Sequence, residues 1–582
     1  MLALLATLAA FAINAWMGFS ALADVDNDNL MRLVEVRDLL KGQGWFDLHQ
    51  YRMGLEGGFV MHWSRLVDTP IAAIIVAASA LTGSRPLAEE IAQVIWPALL
   101  FCSTLFFTVR AVRVFAGGSA ILPSVIVGAA GYQFLGIYSP GALDHHNVQL
   151  MLTMASLALL LEAPAHRAAA LFSGLCAALT LAVGMETVPY VAAIGVCVSL
   201  LFVADASGEH AIARDFGLGF AGVSSLVFLA TIPASAWGEA QCDAFSTVQF
   251  VIAAIAGIGL SVIASVEFTA RGWRHRVASL AMLAVAIGLV TLVLFPQCLA
   301  APYANLDPRL KGLWLDHISE AQSLFALIFD TPALVAARYA TPLVAIVLMA
   351  QRLGRGGWRR QDSLVAALLV VAFGVAAWQV RGSTFSIAFA VIPLSAWIAT
   401  WRARAQNNSS LAVAMRLAAA WLVSINPVWM GAAAATSTAL EKNTPVANGG
   451  DTDKDCEKNA SFAALGRMPE TTVLAPSDIG SPILAFSGHR VFAGPYHRNV
   501  AGNLLVLDAF LGTPDEARKI VQAHGVGLVA VCRSGVESVM LVKKAPRSFL
   551  SDLLRGSVPD WLEQVAETKG SPIELYRVRQ AG

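Results

Sequence analysis

The chain has 582 residues, 57% of them hydrophobic and only 14% charged, where an ordinary soluble protein has roughly 25% charged. A mean hydropathy of +0.63 excludes a wholly soluble globule, and the composition excludes a disordered chain or a collagen-like repeat. Lys plus Arg equals Asp plus Glu at 40 each, so the basic excess that binds nucleic acid is missing.

A bilayer is crossed by about twenty apolar residues, because each backbone polar group must bond within its own helix. Such runs lie at 2–22, 90–113, 119–138, 147–162, 168–183, 187–204, 214–235, 248–267, 277–296, 333–350, 363–380, 384–401 and 411–431. They predict a polytopic α-helical membrane module of about thirteen transmembrane helices over residues 1–431. The run 68–82 is apolar but short, with acidic flanks, and is expected to be re-entrant or interfacial. Arg110, Arg113, Arg167, Arg214, Arg271, Arg352, Arg359 and Arg404 mark alternate loops, whereas 139–146, 184–186 and 236–247 carry no Lys or Arg. By the positive-inside rule the latter face outward. The same phase turns outward the long loops 23–89 and 297–332 and everything after about residue 432.

Cys242 and Cys298 fall in outward loops, and Cys456 and Cys532 in the tail. Four outward cysteines are expected to form two disulfides in an oxidising compartment. Glu441 to Lys458 reads as a linker. Beyond it, β-like runs (Thr472–Ala475, Ile483–Phe486, Val491–Ala493, Gly527–Val531, Ile573–Val578) alternate with helical stretches such as Pro514–His524. Residues 432–582 are therefore expected to form an external α/β domain.

In a chain so poor in charge, clustered polar groups are informative. Asp24, Asp26 and Asp28 follow the first span; they suit a hard divalent cation, or simply cap a helix. Asp144, His145 and His146 sit in the next outward loop and form a second metal-type cluster. Glu320 lies in the long loop 297–332, and Arg381 is the sole base of its outward loop, suited to a phosphate or to interfacial anchoring. The tail carries Tyr496-His497-Arg498-Asn499, a row of donors, and loop 23–89 concentrates His62, Trp63 and Arg65.

These residues, in this order, resemble the GT-C glycosyltransferase superfamily, and within it the catalytic subunit of oligosaccharyltransferases. Asp26 and Arg32 have the family's spacing after the first span, and Gly44-Trp45-Phe46-Asp47 is similar to the stretch that follows. Asp144 and His146 resemble the second acidic motif, His317-Ile-Ser-Glu320-Ala-Gln322 the motif of the long loop, and Arg381 the arginine that opens a late span. The W-W-D-Y-G motif that recognises a sequon hydroxyl has no counterpart: the place reads Ala475-Pro-Ser-Asp478-Ile-Gly480-Ser-Pro482.

The resemblance implies sugar transfer, with inversion, from a polyprenyl phosphate or diphosphate donor to an envelope glycan, lipid or protein. It implies Mg²⁺ or Mn²⁺ held by Asp26, Asp144 and His146, with Glu320 positioning the acceptor or completing the metal shell. Asp26, or its neighbours Asp24 and Asp28, is expected to take the acceptor proton. Arg381, His497 and Arg498 are expected at the donor phosphate, with His62, Arg65 and Asn499 as further candidates. The expected location is a bacterial inner membrane, with the site and tail in the periplasm. The rival reading is a transporter or flippase of a lipid-linked substrate, which would place ionisable groups near mid-membrane; the predicted spans have almost none there.

Overall fold

The structure, a computed structural model, describes residues 1–16, 26–300, 303–304, 306–440, 456 and 458–579. Asp24 and most of the expected linker lie outside these residues. In chain order come α1 (Leu2–Trp16), α2 (Asn27–Leu40), α3 (Arg65–Thr82), α4 (Arg85–Ala116), α5 (Ile121–Leu135), α6 (His146–Glu162) and α7 (Ala168–Val183). Then follow α8 (Val188–Ala204), α9 (Ala206–Thr231), α10 (Thr247–Ser265), the single turn α11 (Glu267–Ala270) and α12 (Trp273–Leu294). The long loop contains α13 (Pro308–Leu313) and α14 (Leu324–Asp330). The bundle closes with α15 (Pro332–Gly354), α16 (Arg360–Trp378), α17 (Ser383–Asn407), α18 (Leu411–Val423) and α19 (Asn426–Leu440).

Among the described residues ten helices are long and apolar enough to cross a membrane, or eleven if α18 and α19, bent by 89°, count as one span. The expectation of thirteen differs because α6 and α7 run only 17 and 16 residues and the described part of α1 only 15, while α3 meets the criterion by composition. The run 68–82, expected to be re-entrant or interfacial, thus lies in a helix that qualifies as a span. Asp68 in its first turn binds Arg32 of α2 at 2.7 Å. Just past its last turn, Glu89 binds Arg37 of the same helix at 2.7 Å, and Arg37 also donates to the Ala485 carbonyl in the tail at 2.6 Å. Helix α3 packs against α4.

Helix α17 is enclosed on nearly all sides, packing on α15, α16, α5 and α4, and it carries Arg381 at its entrance. By contrast α12 leaves Met282, Val285, Leu289 and Val293 open, the pattern of a lipid-facing helix.

The tail holds a five-stranded sheet of β3 (Thr472–Leu474), β4 (Arg490–Val491), β5 (Val526–Cys532), β6 (Leu562–Gln564) and β7 (Ile573–Val578), in the order β4-β3-β5-β7-β6. The first pairs are parallel and the last two antiparallel. A hairpin in the first loop supplies β1 (His49–Gln50) and β2 (Phe59–Val60). The expected strand at Ile483–Phe486 is instead the helix Gly480–Phe486, fully packed on one side; a short apolar run has no period that separates strand from helix. Pro514–Ala523 is a helix with a capping box between Thr513 and Glu516, as its early acids imply. One core joins α2 to the tail: Leu30, Met31 and Val34 pack with Trp63, Val473, Ile483 and Tyr496. That shared core fixes the start of α2, and with it the polar site, against the tail.

Candidate active site

Asp26 caps α2 in extended backbone, and its carboxylate accepts from the Asn29 backbone N–H at 3.0 Å and from Asn29 Nδ2 at 2.9 Å. The other end of that side chain, Asn29 Oδ1, accepts from the backbone N–H groups of Leu143 and Asp144 at 2.6 and 2.8 Å. One amide therefore joins two acids that are remote in sequence. Asn29 drew no attention as a sequence feature, although an Asn three residues after a capping Asp is positioned for such a bridge.

Asp144 holds both neighbouring imidazoles, its Oδ1 lying 2.6 Å from His145 Nδ1 and its Oδ2 taking His146 Nδ1. Ligand atoms of Asp144, His145 and His146 lie within 4.8 Å of one another. Of the expected metal set, Asp144 and His146 fall in this group and Asp26 does not, while His145, which is buried, joins it. Its ring packs on Trp63 at 5.8 Å, and Glu186 stands 3.9 Å from its Nε2. Glu186, which also accepts from Gln149 at 2.9 Å, was not anticipated, because its short loop was read only for bases. A Cβ at Gly184 would displace the hydrogen-bonded ends of Gln149 and Glu186.

The acids converge. Asp26 keeps an open edge, yet loss of water around it, reinforced by the Asp144 and Glu320 charges, pushes its carboxyl up to about 6. Burial, then Asp144, Asp26 and Glu320 together, hold Asp28 well above the usual range. Burial would also raise Asp144, but His145 and His146 hold it well below. Glu320 is exposed on a turn (Ser319–Ala321), and that turn is tied to the entrance of α17 by Val380 N–H donating to the Gln322 carbonyl at 2.9 Å.

Behind the site, Arg32 is wholly buried. It pairs with Asp68 at 2.7 Å, stands 3.6 Å from Glu35 and stacks over Trp63 at 4.3 Å. Arg65 also turns inward, to Asp68 at 3.0 Å and to Gln43 and the Asp47 carbonyl. It is scaffold and makes no contact with the acid cluster. Burial, with the Asp68 charge adding, pushes Glu35 up to about 8 from an ordinary 4.5. Because the folded state keeps the proton that the unfolded chain releases, stability falls as pH rises from about 4.5 to about 8. Glu35→Gln removes this fall, so its thermal midpoint is expected to match wild type near pH 5 and exceed it at pH 8.5; parallel curves would refute the assignment.

A cavity of 550 Å³ adjoins the cluster, lined among others by His146, Glu186, Arg381, Tyr303, His497 and His62. Arg381 donates to Gln379 at 3.0 Å and faces the cavity with His497. Burial, then His497 and Arg498, keep His62 well below the usual histidine range, and its ring lies 4.6 Å from that of His497. Arg498 is different: it grips both oxygens of Asp243 at 2.7 Å, and His497 Nε2 shares one of them at 2.7 Å. Arg498 thus clamps the loop that Cys242–Cys298 also staples, and acts on the cavity through Asp243. The other disulfide is Cys456–Cys532, so the four cysteines expected to pair do so. Asn499 is buried, donating to the Phe492 carbonyl at 2.7 Å, and it builds the tail rather than the cavity.

By sequence, neither a protein-family model nor a curated protein matches the chain. Solved structures do match by shape. The archaeal oligosaccharyltransferase AglB from Archaeoglobus fulgidus, in complex with an inhibitory peptide and a dolichol-phosphate, superposes with TM-score 0.67 at 15% identity, over 97% of this chain and 72% of that one. The fold is that of an oligosaccharyltransferase. The apo form of the Archaeoglobus fulgidus enzyme gives TM-score 0.66 at 17% identity over 93% and 70% of the two chains. Its complex with Zn and sulfate gives 0.62 at 16% identity over 93% and 69%.

On this oligosaccharyltransferase fold, the segment standing where the W-W-D-Y-G motif is expected lies beside the acid cluster. Asn27 Nδ2 donates to the Asp478 carbonyl at 2.8 Å. A 190 Å³ pocket there is lined by Asn27, Trp314, His317, Asp478 and Glu537. Glu537 accepts from Ser477 Oγ at 2.7 Å and from the Asp478 N–H at 3.0 Å, and burial raises its pKa.

Proposed function

We propose that the protein is a metal-dependent membrane glycosyltransferase. It moves a sugar from a polyprenyl phosphate or diphosphate donor to an acceptor of the bacterial envelope, at the periplasmic face of the inner membrane. The observation that carries this reading is the bridging of Asp26 to Asp144 by Asn29, beside the cavity that presents Arg381 and His497. The dolichol-phosphate and peptide bound to AglB support a lipid-linked donor and a separate acceptor on this fold.

The donor set fits a divalent ion: the carboxylate of Asp144 with His145 and His146, and Asp26 tied to the same place through Asn29. Mutual repulsion among Asp26, Asp28, Asp144 and Glu320 is of the kind such a cation relieves. The ion, Mg²⁺ or Mn²⁺, supplies a positive centre against charge developing on the leaving phosphate. The zinc complex of the archaeal enzyme supports a divalent ion here without choosing its identity.

The protein's own groups do the remainder. Arg381 and His497 hold and orient phosphate oxygens. Asp26 accepts the acceptor's proton as the new bond forms, and Glu320 positions the acceptor opposite the leaving group. The 475–482 segment lacks the tryptophans of the sequon motif, and the pocket it borders offers the carboxylates of Asp478 and Glu537 beside Trp314, which favours an acceptor rich in hydroxyl or amine donors.

Treatment with EDTA is expected to reduce transfer in detergent to background, and added Mn²⁺ or Mg²⁺ to restore it. Full turnover after chelation would remove the metal from the reading. Substrate movement across proteoliposomes without product formation would instead favour the flippase.

A further inference from the structure

At the opposite end of the bundle, four arginines converge on one hollow. Its volume is about 650 Å³, and it is lined by Arg113 of α4, Arg352 of α15, Arg359 at the entrance of α16 and Arg404 of α17. Helix α17 sets the distance to the acid cluster. It starts beside Arg381 and runs 25 residues, ~37 Å at the helical rise, so the two sites lie on opposite faces of the membrane.

Arg352 and Arg359 share the buried carboxylate of Asp362 at 2.9 and 3.1 Å, and both lie over the Phe115 ring. Arg404 stacks on Trp401 at 4.6 Å. Neither Arg113 nor Arg404 has a carboxylate partner among the described residues. Four guanidiniums therefore face a hollow with a single acid behind it, an arrangement that repels itself until an anion enters. The wall from α17 is paved by Ala399 and Ala403, small side chains that leave the space open. Trp401 lies near the C-terminal end of α17, and tryptophan is enriched where spans meet lipid headgroups.

We propose that this hollow binds the phosphodiester headgroup of an anionic phospholipid in the leaflet opposite the acid cluster. Guanidinium forks match phosphate oxygens two at a time, and the alanine-paved wall receives the glycerol and upper acyl chain. The inference does not depend on the transferase reading.

The test uses the full-length protein, delipidated in detergent and offered phosphatidylglycerol or phosphatidylcholine, with retained lipid read by native mass spectrometry. Wild type is expected to keep phosphatidylglycerol in preference. The double variant Arg113→Ala, Arg404→Ala leaves the Asp362 pairs intact, so the fold is kept. It should weaken retention of phosphatidylglycerol about 30-fold, from roughly fivefold for each basic group near an anionic surface, and leave phosphatidylcholine unchanged. The variant Arg113→Lys, Arg404→Lys keeps the charge and should fall between. Equal retention of the two lipids by wild type, or no loss in the alanine variant, overturns the proposal. Complete displacement of phosphatidylglycerol by millimolar inorganic phosphate overturns it in favour of a soluble phosphate ligand.

Discussion

Asp144→Asn is expected to lower sugar transfer by about 10³-fold or more, the scale on which a water-poor site loses one charge-stabilising group. The carboxylate engages His145 and His146 together, and its backbone N–H rests on Asn29. The amide keeps the backbone contact and the shape but loses the charge that orients two imidazoles, so expression and thermal midpoint should change little. Mn²⁺ affinity, measured by calorimetry, should fall in parallel with the rate. Unchanged turnover, or lost turnover with undiminished Mn²⁺ affinity, would sink the assignment of Asp144 as a metal ligand.

Asp68→Asn is expected to destabilise the protein by about 3–5 kcal/mol, the usual penalty for unpairing a buried charge. Arg32 has no exposure at all and Asp68 almost none, so water cannot replace the lost partner. Only Glu35 is near enough to respond, at 3.6 Å. Burial is the main cause that raises the Glu35 carboxyl, but with Asp68 neutral the charge that adds to it is gone, so Glu35 should ionise more readily beside Arg32. Hence the alkaline loss of stability expected of wild type should shrink in Asp68→Asn, and adding Glu35→Gln should cost more than the two single changes summed. Additive effects, from unfolding curves at pH 7, would mean that the three groups do not share one network. The same substitution is expected to slow transfer, since Arg32 also stands 3.4 Å from His145.

Much of the architecture was legible in the chain because membrane burial is written in composition. The long apolar runs, the alternation of arginines and the polar tail predict a multi-pass helical bundle with an appended α/β domain, and the fold matches. Errors fell where length or context competes with composition. Ile483–Phe486 is apolar enough for a strand or a helix, and its packing against α2 decided for helix. Among the candidate residues, Asp26, Asp144, His146, Glu320 and Arg381 stand out in the sequence because charge is rare in this chain and each lies at the end of an apolar run or in a loop between two. Asn29 and Asp243 do not, since an uncharged amide and an acid next to a cysteine look ordinary until their partners arrive from residues 144 and 498.

By itself, then, the order of residues determined which segments enter lipid and which polar groups remain at their ends, because transfer of a peptide segment from water to hydrocarbon depends on local composition alone. Only the tertiary structure decided which of those polar groups meet. It set Arg65 and Asn499 into scaffold, gave Arg498 to Asp243, and drew His145 in beside His146. The reason is physical: a charge or amide in a water-poor site must find its partner through space, and that partner is chosen by the packing of α2 against the tail and the bundle, which no local window of sequence contains.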